Sequence, residues 1–498
     1  MSLKSIKQMK KTKYIIGAYL TIFCLAPYSI AHAKINAPIN FQLGDDVSIP
    51  LTCKRTYYVS NSGNDTANGL TTAAAWATVG KVNKTSFSPG DCVLFNRGGT
   101  WRQQLLIPSS GSASGGSITF GAYGTGNKPV FDGTGVNLAK YHGLIRGTNK
   151  NYIIIDNIRV QNSGIGKAAE NSGIGFYGGT NIIVQHSEVN KTESSGIRMN
   201  TSSNVGVFYN DVSMTNCSSA SEQISLSAVN GFEVAYNDSY TNCNPSYHPP
   251  GGAGIDSKQG SKNGAIHHNN VRDIAGGSNG IYVDAYNQDT YNIQVYNNHV
   301  QDIGAGGISI GAEAGGALHN VTVHHNIVEK AGRGGIVFHN AGTTGKNVYD
   351  IFVYNNTLYL NGTSGTKYFG GVRIFDTLLT GVTFKNNILS HGYNFQIGVD
   401  YISPSVVTLD NNVIYGVNVD SGGFSHLNGK NTIFSDPLYT APGSNDFHLR
   451  AGSPAKDACD NSVWQGIPNI KDYDGVPITD GSGKIVAPGG IVNCGAYE

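Results

Sequence analysis

The chain has 498 residues, of which only 13% are charged and 66 are glycine, with a formal net charge of +1. This excludes a highly charged disordered chain and a helix-rich composition. It also leaves no basic excess for general nucleic-acid binding, and suits short strands joined by tight turns.

Residues 1–33 read as an export signal. Lys4, Lys7, Lys10, Lys11 and Lys13 form a basic start, Tyr14 to Ile30 an apolar run, and Ala31-His32-Ala33 a small-x-small cleavage site. Its removal leaves 29 of the 34 basic residues against 33 acidic ones, a mature charge of −4. No later stretch is apolar enough to span a bilayer. The mature protein is therefore expected to be secreted, extracellular or periplasmic, with no nucleic-acid or membrane partner, and to act as a monomer. Cys24 leaves with the signal, and six cysteines remain: Cys53, Cys92, Cys217, Cys243, Cys459 and Cys494. An even count in an exported chain implies disulfides. Pairing nearest neighbours, one choice among fifteen, joins 53–92, 217–243 and 459–494.

Residues 34–56 form a lead-in. Over 57–149 come Tyr57-Tyr58-Val59-Ser60, Gly63-x-Asp65, Trp76-x-Thr78, a Pro89-Gly90-Asp91 turn and Gly121-Ala122-Tyr123-Gly124. These features resemble the N-terminal cap and first turns of secreted right-handed parallel β-helix proteins, many of them polysaccharide lyases and glycosidases. The resemblance implies an all-β, single-stranded right-handed parallel β-helix with N- and C-terminal caps, and an acidic or neutral polysaccharide partner. It singles out no one activity.

The body, 150–420, repeats. An apolar-x-x-Asn-x-apolar unit recurs at Asn210, Asn237, Asn269, Asn298, Asn326, Asn356, Asn387 and Asn412, at spacings of 25 to 32, with Ile158 and Ser187 in the same slot earlier. A second register, mostly Gly-Ile, runs Ile174, Ile197, Ile224, Ile255, Ile281, Ile308, Ile336, Val372. Two registers advancing together indicate stacked units sharing one core. Period-2 runs such as NIQVYNNHV supply the strands. Leucine-rich repeats would need a denser Leu consensus. Each Asn amide is expected to donate to the next coil and accept from the previous one, the asparagine ladder of the resembled proteins. The final segment, 421–498, carries DFHL, GSPA, DYDG and GAYE, which recur at the C-terminal ends of such proteins; it is expected to cap the last parallel edge.

Strand alternation then defines a wall. With each Gly-Ile isoleucine pointing inward, the second residue after it is inward too: Phe176, Met199, Leu226, Ser257, Val283, Ile310, Phe338 and Ile374. Only Ser257 is polar. One step after the isoleucine, the outward residues include Arg198, Ser225, Asp256, Tyr282, Ser309 and Arg373. Three steps after it they include Tyr177, Asn200, Ser227, Lys258, Asp284, Gly311 and His339, with Glu313 two further on. Coils lie ~4.8 Å apart, which sets Asp256 beside Tyr282 and Lys258 beside Asp284. Insertions 242–252 and 342–370 are expected to wall this face. The bland alternative is a solvated charge ladder.

Three chemistries compete for the patch. In β-elimination on a uronic-acid polysaccharide, the favoured reading, Arg198, Arg373 or a calcium ion held by Asp256, Asp284 and Glu313 neutralises the carboxylate. Lys258 is the base, Tyr282 the acid, and Tyr177 and Asn200 contact substrate. Because Asp256 and Asp284 would raise the Lys258 pKa unless calcium occupies them, His339 or Tyr282 is an alternative base. The Asp-Asp-Gly-Trp-Asp calcium motif of family-9 pectate lyases is absent. In glycoside hydrolysis, Asp256 with Asp284, or Asp284 with Glu313, are the paired carboxylates. In non-catalytic glycan binding, Tyr177, Tyr282, Tyr286 and Phe375 are stacking platforms. His267-His268 and His324-His325 read as side-chain stacking with Tyr296 and Tyr354, not as metal ligands.

Overall fold

The computed structural model describes residues 52–164, 169–215, 221–241, 252–339, 348–366, 368–374, 379–399, 406–416, 425–426, 429–480, 482–487 and 491–497. The expected export signal and the cysteines 217 and 243 lie outside these, as do residue 375 and most of the first insertion.

Successive strands pass from one sheet to the next and return to the first after three. Three long sheets of 13, 12 and 12 strands result, parallel apart from one antiparallel end strand, Ser425–His426. No helix among the described residues is long and apolar enough to cross a membrane. Each coil therefore lends one strand to every sheet, and a column of equivalent side chains runs down the interior.

The expected registers are the observed ones. Ile174, Ile197, Ile224, Ile255, Ile281, Ile308, Ile336 and Val372 are successive Cα partners, and every one is fully buried. Ser257 sits in the neighbouring inward column between Leu226 and Val283, also fully buried. A one-residue slip would turn every isoleucine outward, so burial pins the register.

The asparagine ladder forms as the sequence suggests. Asn210 Nδ2 donates to Asn237 Oδ1 at 2.9 Å, and the chain of amide bonds continues unbroken through Asn269, Asn298, Asn326, Asn356 and Asn387 to Asn412. Each Oδ1 also accepts the backbone N–H of the preceding rung at 3.0 Å. Ser187 begins the series, its N–H bonded to Asn210 Oδ1. The ladder thus satisfies backbone groups at a bend where strand pairing is interrupted. The residue before each rung adopts left-handed backbone, with φ 52° at His268 and Asn297 and 50° at His325 and Asn355.

At the N-terminal end, the Gly63-x-Asp65 and Trp76-x-Thr78 motifs form one unit. The Asp65 carboxylate accepts from the Ala77 and Thr78 N–H groups and the Thr78 hydroxyl. Thr78 in turn caps the short helix Val79–Asn83, whose Val79 and Val82 enter the main core. A Cβ on Gly63 would stand 2.2 Å from the Trp76 carbonyl oxygen, so only glycine fits.

The C-terminal segment begins on the last coil, where Ser425–His426 pair with Val399 and Gly398, Lys430 with Asp410, and Ile433 with Val413, and its later residues pack beside several coils. Its Phe447, Trp464, Val492 and Tyr497 join Ile327, Tyr354, Ile388 and Val413 in a second apolar cluster. Its carbonyls accept from Asn297, Asn355 and Asn386, which belong to different coils. The segment lies along the flank of the coils because its apolar side chains match the column beside the ladder. Disulfides join Cys53 to Cys92 and Cys459 to Cys494, as nearest-neighbour pairing anticipates.

Candidate active site

The acidic patch is built by three adjacent strands, Ala253–Lys258, Asn279–Asp284 and Gly306–Gly311. Asp256 pairs in register with Tyr282, and Tyr282 with Ser309; Asp284 pairs with Gly311. Small neighbours on both sides, Ser225 and Ser227 before and Ser309 and Gly311 after, leave the larger side chains around a depression of about 280 Å³. It is lined by Glu222, Asp256, Lys258, Tyr282, Asp284 and Glu313, with Gln259, Asn279 and Tyr286 at its edges. Asp256 and Asp284 are each only 2% exposed.

Glu222 escaped the strand-phase argument. It precedes its strand, Ile224–Ser227, at a bend where alternation does not apply. It nevertheless binds the Lys258 ammonium, which also lies 3.4 Å from Asp256 Oδ2. Lys258 therefore turns back towards the preceding coil instead of forming the expected pair with Asp284. One sequence feature marks the spot: Gln223 replaces the usual Gly before the isoleucine, and an acid precedes it.

The protonation states follow from burial and pairing. Burial opposes charge on Lys258, but Glu222 and Asp256 outweigh it and hold the ammonium above its ordinary pKa. Burial likewise opposes charge on Glu222, yet Lys258 keeps that carboxylate below its usual range. Asp256 is driven well above the carboxylate range by burial, with Glu222 and Asp284 adding repulsion that Lys258 only partly offsets. Asp284 is pushed up to about 8, first by burial and then by the Glu313 charge, against a weak bond from the Glu313 N–H at 3.3 Å. The Tyr282 hydroxyl donates to Glu313 Oε1 at 2.9 Å; burial and the Asp284, Glu313 and Asp256 carboxyls raise its pKa well above the phenol value.

The pocket thus holds Asp256 and Asp284, both pushed above the carboxylate range, the Lys258–Glu222 ion pair, and a phenol bonded to Glu313. Lys258 and Tyr282 are both held towards their protonated forms. Among the described residues no group of three His, Cys, Asp or Glu side chains is placed to hold a metal ion. An ammonium already sits against Asp256, so the calcium set Asp256, Asp284 and Glu313 does not fit a divalent cation in this arrangement.

Arg198, Tyr177, Asn200 and Arg373 do not line the pocket. Arg198 donates to Ser194 Oγ at 2.6 Å and Ser221 Oγ at 3.1 Å. Its charge also helps keep Glu222 ionised. The Tyr177 hydroxyl donates to the Tyr141 carbonyl, and the Arg146 guanidinium lies 4.5 Å over its ring. Asn200 accepts from Thr201. Arg373 lies over the Phe369 ring at 4.6 Å, four coils from Asp256. His339 is the register partner of Gly311, and its side chain is outside the described residues. The histidine pairs stack as expected: His267, Tyr296 and His324 lie face to face at 4.6 and 4.9 Å.

No protein-family model matches the chain, and no curated protein matches it. Solved structures do. The pectate lyase Pel9A aligns with a TM-score of 0.52 at 15% identity, over 90% of this chain and 97% of its own. XylC in complex with xylose aligns at 0.53 and 12% identity, over 77% and 87%. The A-module of the mannuronan C-5 epimerase AlgE4 from Azotobacter vinelandii aligns at 0.50 and 12%, over 69% and 91%. The chain is a right-handed parallel β-helix. At these identities the likeness carries the fold and not the chemistry, so the activity of this β-helix rests on its own pocket.

Proposed function

We propose that this β-helix is an exported enzyme that hydrolyses glycosidic bonds in a polysaccharide, with Asp284 as proton donor and Glu313 as the partner carboxylate. The carrying observation is the asymmetry of these two neighbours. Asp284 is buried and keeps its proton at neutral pH, whereas Glu313 is half-buried and bonded by the Tyr282 hydroxyl. A buried carboxyl group that keeps its proton, beside a second and more exposed carboxyl group, supplies candidates for the acid and base roles at one bond. The Asp284 proton passes to the glycosidic oxygen as its bond to the anomeric carbon breaks. Glu313 either takes a proton from the water that attacks that carbon, or attacks it directly to form a glycosyl ester that water then cleaves; both routes leave a new reducing end. Asp256 and Lys258 then hold substrate hydroxyls. The polysaccharide substrate class is supported by the pectate lyase and mannuronan epimerase of the same fold. Export is supported by the two disulfides.

β-Elimination ranks second. The lyase among the similar structures favours it, and Tyr282 would serve as its acid, but Lys258 is held towards its protonated form and Arg198 and Arg373 do not line the pocket, leaving His339 as its base. The test is incubation with xylan, glucomannan, polygalacturonate and alginate, with and without a chelator. Hydrolysis yields reducing ends with no ultraviolet-absorbing unsaturated product, insensitive to chelation. Asp284→Asn and Glu313→Gln should each lower kcat by at least about 100-fold. An unsaturated product, or activity lost to chelation and restored by calcium, establishes elimination instead. No cleavage of any polymer leaves glycan binding.

A further inference from the structure

A second polar groove lies on the flank of the β-helix, beside the ladder. On four successive coils the left-handed residue before the rung is aromatic: His186, Tyr209, Tyr236 and His268 stack at 5.4, 4.8 and 4.8 Å. From the next coils onward the C-terminal segment covers this column, accepting from Asn297 Nδ2 at the Asp472 carbonyl (2.8 Å) and stacking Trp464 on His325. Where the covering begins, a groove of about 430 Å³ opens. Tyr236, His268, Asn297 and Gln301 line it from the coils, and Asn445 and Tyr473 from the C-terminal segment.

Two further features suit it to a ligand rich in hydroxyls. Asn297 is 3% exposed, and its Nδ2 is engaged by Asp472 and His268, yet its Oδ1 has no hydrogen-bond partner. A buried amide oxygen in a groove wall calls for a donor from outside the fold. The groove's Arg272 and His299 are also committed. Arg272 pairs with Asp238 at 2.7 Å and Asp273 at 3.1 Å, and His299 with Glu329 at 3.0 Å. The electrostatics therefore suit a neutral ligand.

We propose that this groove is a carbohydrate-binding site separate from the acidic pocket, taking a neutral sugar residue of a polysaccharide. A ring hydroxyl donates to Asn297 Oδ1 while planar side chains flank the ring. The coil that carries Asp284 continues into Thr290–Tyr296 and Asn297, so one turn of the β-helix serves both sites.

Affinity electrophoresis of the full chain in gels containing xylan, glucomannan or mixed-linkage β-glucan tests this. Asp284→Asn, which keeps the groove, should be retarded by at least one of these polymers. Gln301→Trp and Asn445→Trp fill the groove from opposite walls; both lose their mutual 3.0 Å bond, and Asn445→Trp also puts tryptophan on left-handed backbone, φ 61°. Each, with unchanged thermal unfolding, should weaken that retardation about tenfold in apparent Kd. Retardation with no hydrolysis of any polymer would sink the proposed activity and still support the groove. Retardation unchanged in both tryptophan variants, or absent with every neutral polymer, overturns the groove.

Discussion

In the proposed reaction, Asp284 ties catalysis and stability to the same proton. Its pKa is about 8 in the fold, against ~3.9 in an unfolded chain. Between those values the folded state binds the extra proton, so stability falls as pH rises from about 4 to about 8, and the slope vanishes outside that window. Asp284→Asn should flatten this part of a urea-midpoint profile against pH. The same titration should set the alkaline limb of kcat/KM, with activity declining through about pH 8 as the donor loses its proton. A rate that continues to rise well above pH 8 would remove Asp284 from the donor role. The Lys258–Glu222 pair gives a second prediction. Glu222 is nearly buried, its side chain 6% exposed, and Lys258→Met leaves that carboxylate without its ammonium. We expect a loss of about 3 kcal/mol. Lys258→Met with Glu222→Gln should recover most of it in chemical denaturation, because the cost lies in an unpaired buried charge more than in a missing contact.

At the scale of the element, the ladder makes a graded prediction. Asn298 accepts from the Asn269 backbone and side chain and donates to Asn326, Ile266 and Tyr296. Among the described residues, the Asn412 side chain, on the last rung, donates only to the Phe384 and Asp410 carbonyls. Asn298→Ala should therefore cost about 2–3 kcal/mol, orphaning buried donors and acceptors, and Asn412→Ala less. Equal losses in denaturation would mean that the rungs do not act as a series. These elements were legible from sequence because the physics enforcing them is local and repeated. Inward isoleucines and ladder asparagines recur once per coil, and each coil repeats the same burial. The row Ser225, Asp256, Tyr282, Ser309 could be read for the same reason. Glu222 could not, because a bend breaks the alternation before Ile224. Nor could the direction of the Lys258 ammonium, which is decided by Glu222. Arg198, Tyr177 and Arg373 do occupy outward slots, but slot parity carries no information about the Ser194, Tyr141 and Phe369 contacts that occupy them.

Over the whole molecule, two kinds of cohesion meet. The coils are held by neighbour-to-neighbour contacts repeated along the axis, so each stabilises mainly the next. The C-terminal segment instead bridges several coils at once, through Asn297, Asn355 and Asn386 and through Trp464 against His325. Its end bonds also cross long sequence distances: Gly495 N–H donates to the Asn386 carbonyl and Ala496 N–H to Thr357 Oγ1. Such a segment needs its own order before it can dock, and the Cys459–Cys494 disulfide, spanning 35 residues, provides part of it. Closing a loop of that size constrains the unfolded segment by about 3–4 kcal/mol. Replacing both cysteines with serine should therefore favour local detachment. Amide exchange should accelerate within 455–497, while strands Ala253–Lys258 and Asn279–Asp284, held by their own coils, keep wild-type protection. Acceleration spread evenly over both regions would mean that the segment and the coils unfold as one unit. Protection unchanged everywhere would mean that docking along the flank, through the Phe447, Trp464 and Tyr497 cluster, orders the segment without its disulfide.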